Sequence, residues 1–395
     1  MKDNNNWLLP DGVDESLPEE ALRIENLRRM IIDVLSSWGY RLVIPPMIEY
    51  LESLLAGMGE DLDLQTFKLT DQRSGRAMGV RADITPQIAR IDAHRLPSDD
   101  PQRFCYVGPV VHTQPEKFAG SRNPLQIGAE IFGHKGIESD VEVISLLLEC
   151  LSAAGIPKIT LEVAHMEIFH GICAGQNFDL GCEQKILEAL SKKDKATLCE
   201  LLEQADASEE VLSHLMALIE LNGGISVLKD AKAKLASASS GVQSALEELS
   251  QLSDILTTTI PYLDLHIDLA EMRGYRYHTG IMFAAYTAAA GRAIAWGGRY
   301  DNTGKLLGRE RGATGFSTDL KVLEGLSSIG VSDTDIVYAP EGYDKDLLKA
   351  MNDCRKRGSI VVQELPNQVG GAANAGCNKH FVKINDLWEI KVISD

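Results

Sequence analysis

Apolar residues recur at helical spacing at Leu22, Leu27, Ile31, Val34, Leu35 and Trp38, and this stripe predicts a first helix. Ser16 and Glu19 have capping-box spacing at its start, and Gly39 supplies a left-handed stop. RLVIPP, residues 41–46, then reads as a short strand. Its Pro-Pro pair places it at an edge, a bend or a subunit contact, because proline has no N–H for a central ladder. Residues 66–70 and 76–80 are two short strands around DQRSG, which predicts an antiparallel hairpin. Thr85-Pro86 predicts another helix start, with Thr at the cap and Pro at the first helical position. Ser139 and Glu142 form a second capping box, opening an apolar helix that runs to Gly155.

The pattern changes between about 171 and 255. This stretch is rich in Leu, Ala, Glu and Lys at helical spacing, nearly without aromatics, and reads as an inserted helical subdomain. Alternation returns at 262–269, where Leu263, Leu265, Ile267 and Leu269 interleave with Asp264, His266 and Asp268. Two more strands surround a small-residue turn, the second in RAIAWGGRYD, and GFSTDLKVLEGL, residues 315–326, is expected to start a helix. Mostly hairpin-linked strands favour an α+β fold with an antiparallel sheet flanked by helices. Residues 331–395 alternate strand and helix, with strands near 336–338, 360–362 and 381–382, and form a small α/β tail beside a main domain of 1–330.

Composition narrows the function classes. The 395 residues carry a formal charge of -18, so binding to nucleic acid through the phosphate backbone is not expected. The seven cysteines are scattered without a C-x-x-C pair, which argues against a zinc site or a disulfide framework and for a reducing compartment. No apolar run spans a bilayer and the N-terminus lacks a signal pattern, so a cytoplasmic protein without membrane contact is expected.

Four segments carry candidate chemistry. In RADITP, Asp83 can accept from an ammonium and Thr85 can contact a ligand, or the segment is a plain strand-to-helix turn. On a strand, Gln126, Gly128 and Glu130 point to one side, and a buried Glu130 needs a donor such as an imidazole N–H; a surface strand face is the alternative. RGYRYH, residues 273–278, offers Arg273 for bidentate carboxylate binding or for a structural ion pair. WGGRYD, residues 296–301, allows close backbone approach or is a tight turn.

Taken in order, these segments resemble class II aminoacyl-tRNA synthetases of the histidyl type over roughly residues 5 to 330. GYRLVIPP is similar to the first motif, a dimer-interface strand. YVGPVVHTQP and QIGAEIFG are similar to the second, RGYRYHTG and GGRYD to the two histidyl-specific segments, and GFSTDLKVL to the third. The resemblance implies a histidine pocket of Asp83, Thr85 and Gln126 around the α-amino group, Glu130 facing the imidazole and Arg273 the carboxylate, with Tyr277 and His278 nearby. Asp83 is shorter than the glutamate expected there, and His278 stands where tyrosine is usual.

The departures concern the nucleotide. The arginine-x-glutamate core of the second motif is His112 and Gln114 here, and the third-motif arginine is replaced by Val322. One preorganised donor is worth about 2.7–4 kcal/mol of barrier, so two losses should abolish adenylate formation. The tail is also too short for a full anticodon-binding domain. A synthetase-like chain so altered resembles the regulatory subunits of ATP phosphoribosyltransferase. That resemblance implies a non-catalytic chain without cofactor or metal. It further implies self-association as a dimer and assembly with a short-form catalytic subunit in a hetero-octamer serving histidine biosynthesis, with histidine as effector. The alternatives are a working histidine-activating ligase and a histidine-binding module for another partner.

Overall fold

The computed structural model describes residues 7–55, 60–114, 120–271, 278–302, 307–329 and 335–393. The chain divides into two compact units, residues 1–328 and 329–395.

The first unit is built on a nine-stranded sheet. Its order is Arg41–Val43, Gln102–Pro109, Leu125–Phe132, Ala313–Asp319, Ala295–Arg299, Ile281–Thr287, Ile159–His165, Asp264–Asp268 and Asn222–Gly223. The six strands from Gln102–Pro109 to Ile159–His165 pair antiparallel with one another. Parallel pairing enters on either side of them, where Arg41–Val43 joins Gln102–Pro109 and Asp264–Asp268 joins Ile159–His165. Residues 315–319, expected to lead into a helix, complete the strand Ala313–Asp319, and the helix is Leu320–Leu326. A second, three-stranded sheet has the order Ile48–Tyr50, Ala77–Val80, Phe67–Thr70, so the expected hairpin gains a third strand.

Alternation along the strand Leu125–Phe132 sorts the two faces of the large sheet. Ile127, Ala129 and Ile131 join the main core with Ile24, Leu27, Ile31 and Leu35 of helix Pro18–Ser37 and with Ile144, Leu147 and Leu151 of helix Ile137–Ala153. Burying apolar side chains at about 25 cal/mol per Å² makes this layer the main source of stability. Gln126, Gly128 and Glu130 take the opposite face. There helix Thr85–His94 lays Ile88 and Ala89 beside Phe104, Tyr106, Phe132 and Tyr300.

Both expected capping boxes give way to other starts. Helix Pro18–Ser37 begins with proline, which has no N–H to be capped, and Ser16 bonds the Glu20 carboxylate instead. Helix Ile137–Ala153 starts after Gly136, so Ser139 lies inside its first turn, with its hydroxyl on Gly136 O. Thr85 is likewise the first helical residue and not the cap. Asp83 Oδ1 accepts from Thr85 N at 3.0 Å and Gln126 Oε1 from Ile84 N at 2.9 Å, which frees the Thr85 hydroxyl. Between strands Ile159–His165 and Asp264–Asp268 lie six helices, from Met166–Cys173 to Ser240–Thr259, and the short strand Asn222–Gly223.

The second unit is a four-stranded sheet in the order Ile360–Gln363, Ile336–Ala339, Lys379–Ile384, Leu387–Val392. Helix Lys345–Lys356, capped by Asp344, packs Leu347, Met351 and Cys354 with Val337, Val361 and Phe381. The last strand was not expected from sequence, because its apolar residues are mostly exposed and leave no one-sided alternation.

Candidate functional site

Glu130 is the centre of the site face. Its side chain is 1% exposed and accepts from three hydroxyls: Thr85 Oγ1 at 3.0 Å, Tyr106 OH at 3.1 Å and Tyr300 OH at 2.5 Å. Strand register explains the room it occupies. Glu130 pairs with Gly315 of the next strand, and a Cβ there would stand 1.5 Å from Glu130 Oε2. Burial pushes the Glu130 carboxyl up to about 8, and the nearby negative charge of Asp83 adds to the rise; the three hydroxyl donors act against it.

The other predicted residues divide. Gln126 and Asp83 are brought together with Glu130: Gln126 Nε2 donates to Asp83 Oδ1 at 2.8 Å, and Asp83 caps Thr85, whose hydroxyl reaches Glu130. His278 lies one strand further, its ring against Gly298, where a Cβ would meet Cδ2 at 2.7 Å. Arg273 and Tyr277 lie outside the described residues. Two residues with a place in this network were missed, Tyr106 and Tyr300. Both stand in motifs already quoted, YVGP and GGRYD, and a glutamate expected to be buried signals that hydroxyl donors surround it. Arg299 of GGRYD is buried and structural: it bonds Asp140 Oδ2 at 2.6 Å, Gly136 O at 3.0 Å and Ser139 Oγ at 2.9 Å.

Beside Asp83 and Gln126 opens a cavity of about 160 Å³ whose wall also includes His112, Trp296, Asp319 and Val322. Two of the three departures from the synthetase pattern thus meet in one place. Gln114 is exposed and outside this wall. His112 is a strut: Nε2 donates to Ala82 O at 2.9 Å, and its backbone N–H to Arg122 O at 2.8 Å. Arg292 is the single guanidinium on the wall among the described residues, and it already has a partner. Burial raises the Asp319 carboxyl above its usual range.

Comparison with known proteins places this geometry. The family model for histidyl-tRNA synthetase matches residues 12–323, and that for the ATP phosphoribosyltransferase subunit HisZ C-terminal domain matches 334–391. A structure titled as an ATP phosphoribosyltransferase regulatory subunit/histidyl-tRNA synthetase from Bacillus halodurans has a TM-score of 0.82 at 24% identity, covering 95% of this chain and 97% of its own. Histidyl-tRNA synthetase from Nostoc sp. PCC 7120 has a TM-score of 0.77 at 19% identity, over 96% and 91%. Fold and site therefore define a chain of the class II, histidyl-tRNA synthetase type. Relatives named ATP phosphoribosyltransferase regulatory subunit are 49% identical in Thioalkalivibrio sulfidiphilus, over 98% of this chain and 100% of theirs, and 50% identical in Alkalilimnicola ehrlichii, over 96% and 95%. The chain belongs to the family of ATP phosphoribosyltransferase regulatory subunits.

Proposed function

We propose that this chain is the non-catalytic regulatory subunit of an ATP phosphoribosyltransferase, acting in the first step of histidine biosynthesis and transmitting histidine's effect to a short-form catalytic subunit. The observation that carries the reading is the cavity wall. Where a synthetase-like site would hold a triphosphate, His112 and Val322 stand beside Asp83 and Asp319, and Arg292 is the single guanidinium on the wall among the described residues. Such a wall offers fewer of the fixed cations that grip phosphate. The amino-acid end keeps its polar network, with Asp83, Thr85, Gln126 and Glu130 joined by hydrogen bonds. In this reading those four residues, with Arg273, Tyr277 and His278, hold histidine.

Self-association through the first motif has support in the edge of the sheet. Leu42, Ile44, Met47 and Ile48 are 43, 79, 39 and 47% exposed there, beside the unpaired side of strand Arg41–Val43. The second unit, at 329–395, is read as a vestige of an anticodon-binding domain. No helix among the described residues is long and apolar enough to cross a membrane, which agrees with a cytoplasmic assembly, here proposed as a hetero-octamer.

Mixing tests the function. The chain added to a short-form catalytic subunit should raise its rate of phosphoribosyl transfer to ATP and confer inhibition by histidine, while the chain alone shows no pyrophosphate exchange with ATP and histidine. An unchanged rate in the mixture, or exchange by the chain alone, overturns the reading.

A further inference from the structure

The sheet of the second unit ends on an uncovered strand. Leu387–Val392 pairs with Lys379–Ile384 and, among the described residues, with no strand on its other side. Leu387, Ile390 and Val392 are 69, 38 and 69% exposed. Sheets commonly blunt such an edge with proline, a bulge or lysines. This strand has no proline, and its two charges are of opposite sign. Glu389 and Lys391 are both exposed, two positions apart on one face of the strand.

Register fixes which backbone groups are free. Ile393 N donates to Asn378 O at 3.0 Å, one step beyond the pair Lys379–Val392. In an antiparallel ladder, hydrogen-bonded pairs alternate with pairs that are not hydrogen-bonded. The N–H and C=O of Leu387, Glu389 and Lys391 therefore turn toward Lys379–Ile384, and those of Trp388, Ile390 and Val392 turn outward. A second copy of this strand, run antiparallel, can meet the outward groups in several registers, and charge selects among them. A two-fold centre at Ile390 joins Ile390 to Ile390 and Trp388 to Val392 through backbone bonds. It sets Glu389 opposite Lys391 in the non-hydrogen-bonded pair, where facing side chains come closest. A centre at Glu389 or at Lys391 would instead set like charges face to face.

We propose that Leu387–Val392 is a self-recognition edge, pairing antiparallel with the same strand of a second copy about a two-fold axis at Ile390. The contact is isologous, so it closes at two copies. It uses neither the residues around Glu130 nor the edge Arg41–Val43, and it stands or falls independently of both. Combined with association through Arg41–Val43, it links dimers in pairs.

Sedimentation velocity on the full chain tests it. The parent should double in mass reversibly as its concentration rises to about 100 μM, the range of a weak, transient contact. Ile390→Pro removes an outward N–H that the chain's own sheet does not use, so it should abolish the doubling and leave the thermal melt unchanged. Glu389→Lys should weaken the doubling about tenfold, because each contact then holds two like-charged pairs. Adding Lys391→Glu to that variant should restore it to within about twofold of the parent, since the pairs are opposite in sign again. Under mild oxidation, Ile390→Cys should give a cross-linked dimer that the parent does not, because paired Cα atoms at the centre lie about 5.5 Å apart. Leu387→Cys, which this register sets opposite Ile393, should give none. The proposal is overturned if the parent does not double, if Ile390→Pro or Glu389→Lys doubles as the parent does, if the charge swap fails to restore association, or if Leu387→Cys cross-links as readily as Ile390→Cys.

Discussion

Asp140 and Glu130 are both buried carboxyls in the first unit, yet their surroundings answer them in opposite ways. Asp140, in the first turn of its helix, faces the Arg299 guanidinium, which also bonds Asp301 and the carbonyls of His134 and Gly136. Glu130 faces Thr85, Tyr106 and Tyr300, all neutral hydroxyls. A cation of fixed charge locks the first carboxyl into a structural brace. Hydroxyls can turn from donor to acceptor, so the second can change protonation or exchange partners without leaving a bare charge. The contrast separates a carboxyl that holds the sheet to its helix from one whose neighbours leave it free to change protonation.

The sharpest way to break this comparison is to remove the cation. Arg299→Ala should cost about 3–5 kcal/mol, since it leaves Asp140 buried and unpaired, and urea denaturation should show it. A loss no larger than that of a surface substitution would remove the distinction. The pH dependence of Glu130 comes next. Its carboxyl rises from an ordinary 4.5 to about 8, so folding favours the protonated form. Its contribution is complete below pH 4.5 and is lost as pH climbs through 8, on the order of a few kcal/mol. Urea midpoints from pH 5 to 8.5 should fall in the parent and flatten in Glu130→Gln; parallel curves would show that Glu130 does not hold the proton.

Tyr300→Phe should cost about 1–3 kcal/mol and also weaken histidine in calorimetry, whereas a change in stability alone would make this hydroxyl purely structural. The smallest effect belongs to the helical region, where Lys195 and Glu220 form an exposed pair. Lys195→Ala should leave the denaturation midpoint unchanged, because water and salt screen such a pair. A shift as large as that of Tyr300→Phe would show that hydroxyls around Glu130 carry no special weight.

Periodicity made the main elements legible. The stripe from Leu27 to Trp38, the alternation in 262–269 and the common side of Gln126, Gly128 and Glu130 all appear in the structure, since side-chain direction along a helix or strand follows from backbone geometry alone, whereas Leu22 is exposed and Ile24 takes its place on the buried face. Helix starts were less legible. Ser16, Thr85 and Ser139 each fit a capping pattern, but each hydroxyl has another partner: Glu20, Glu130, and Gly136 O. A short polar side chain takes whichever partner the fold brings nearest, and that choice is not local.

By itself the sequence determined the α+β class and the synthetase-like order of motifs, and it put His112 and Val322 where that resemblance leads one to expect arginines. Only the tertiary structure decided that these two share one cavity with Asp83 and Asp319, that Tyr106 and Tyr300 converge on Glu130, and that Arg299 serves Asp140. The reason is sequence distance. Glu130 and Tyr300 are 170 positions apart and Arg299 and Asp140 are 159, so strand order and register bring them together, and no local pattern encodes either.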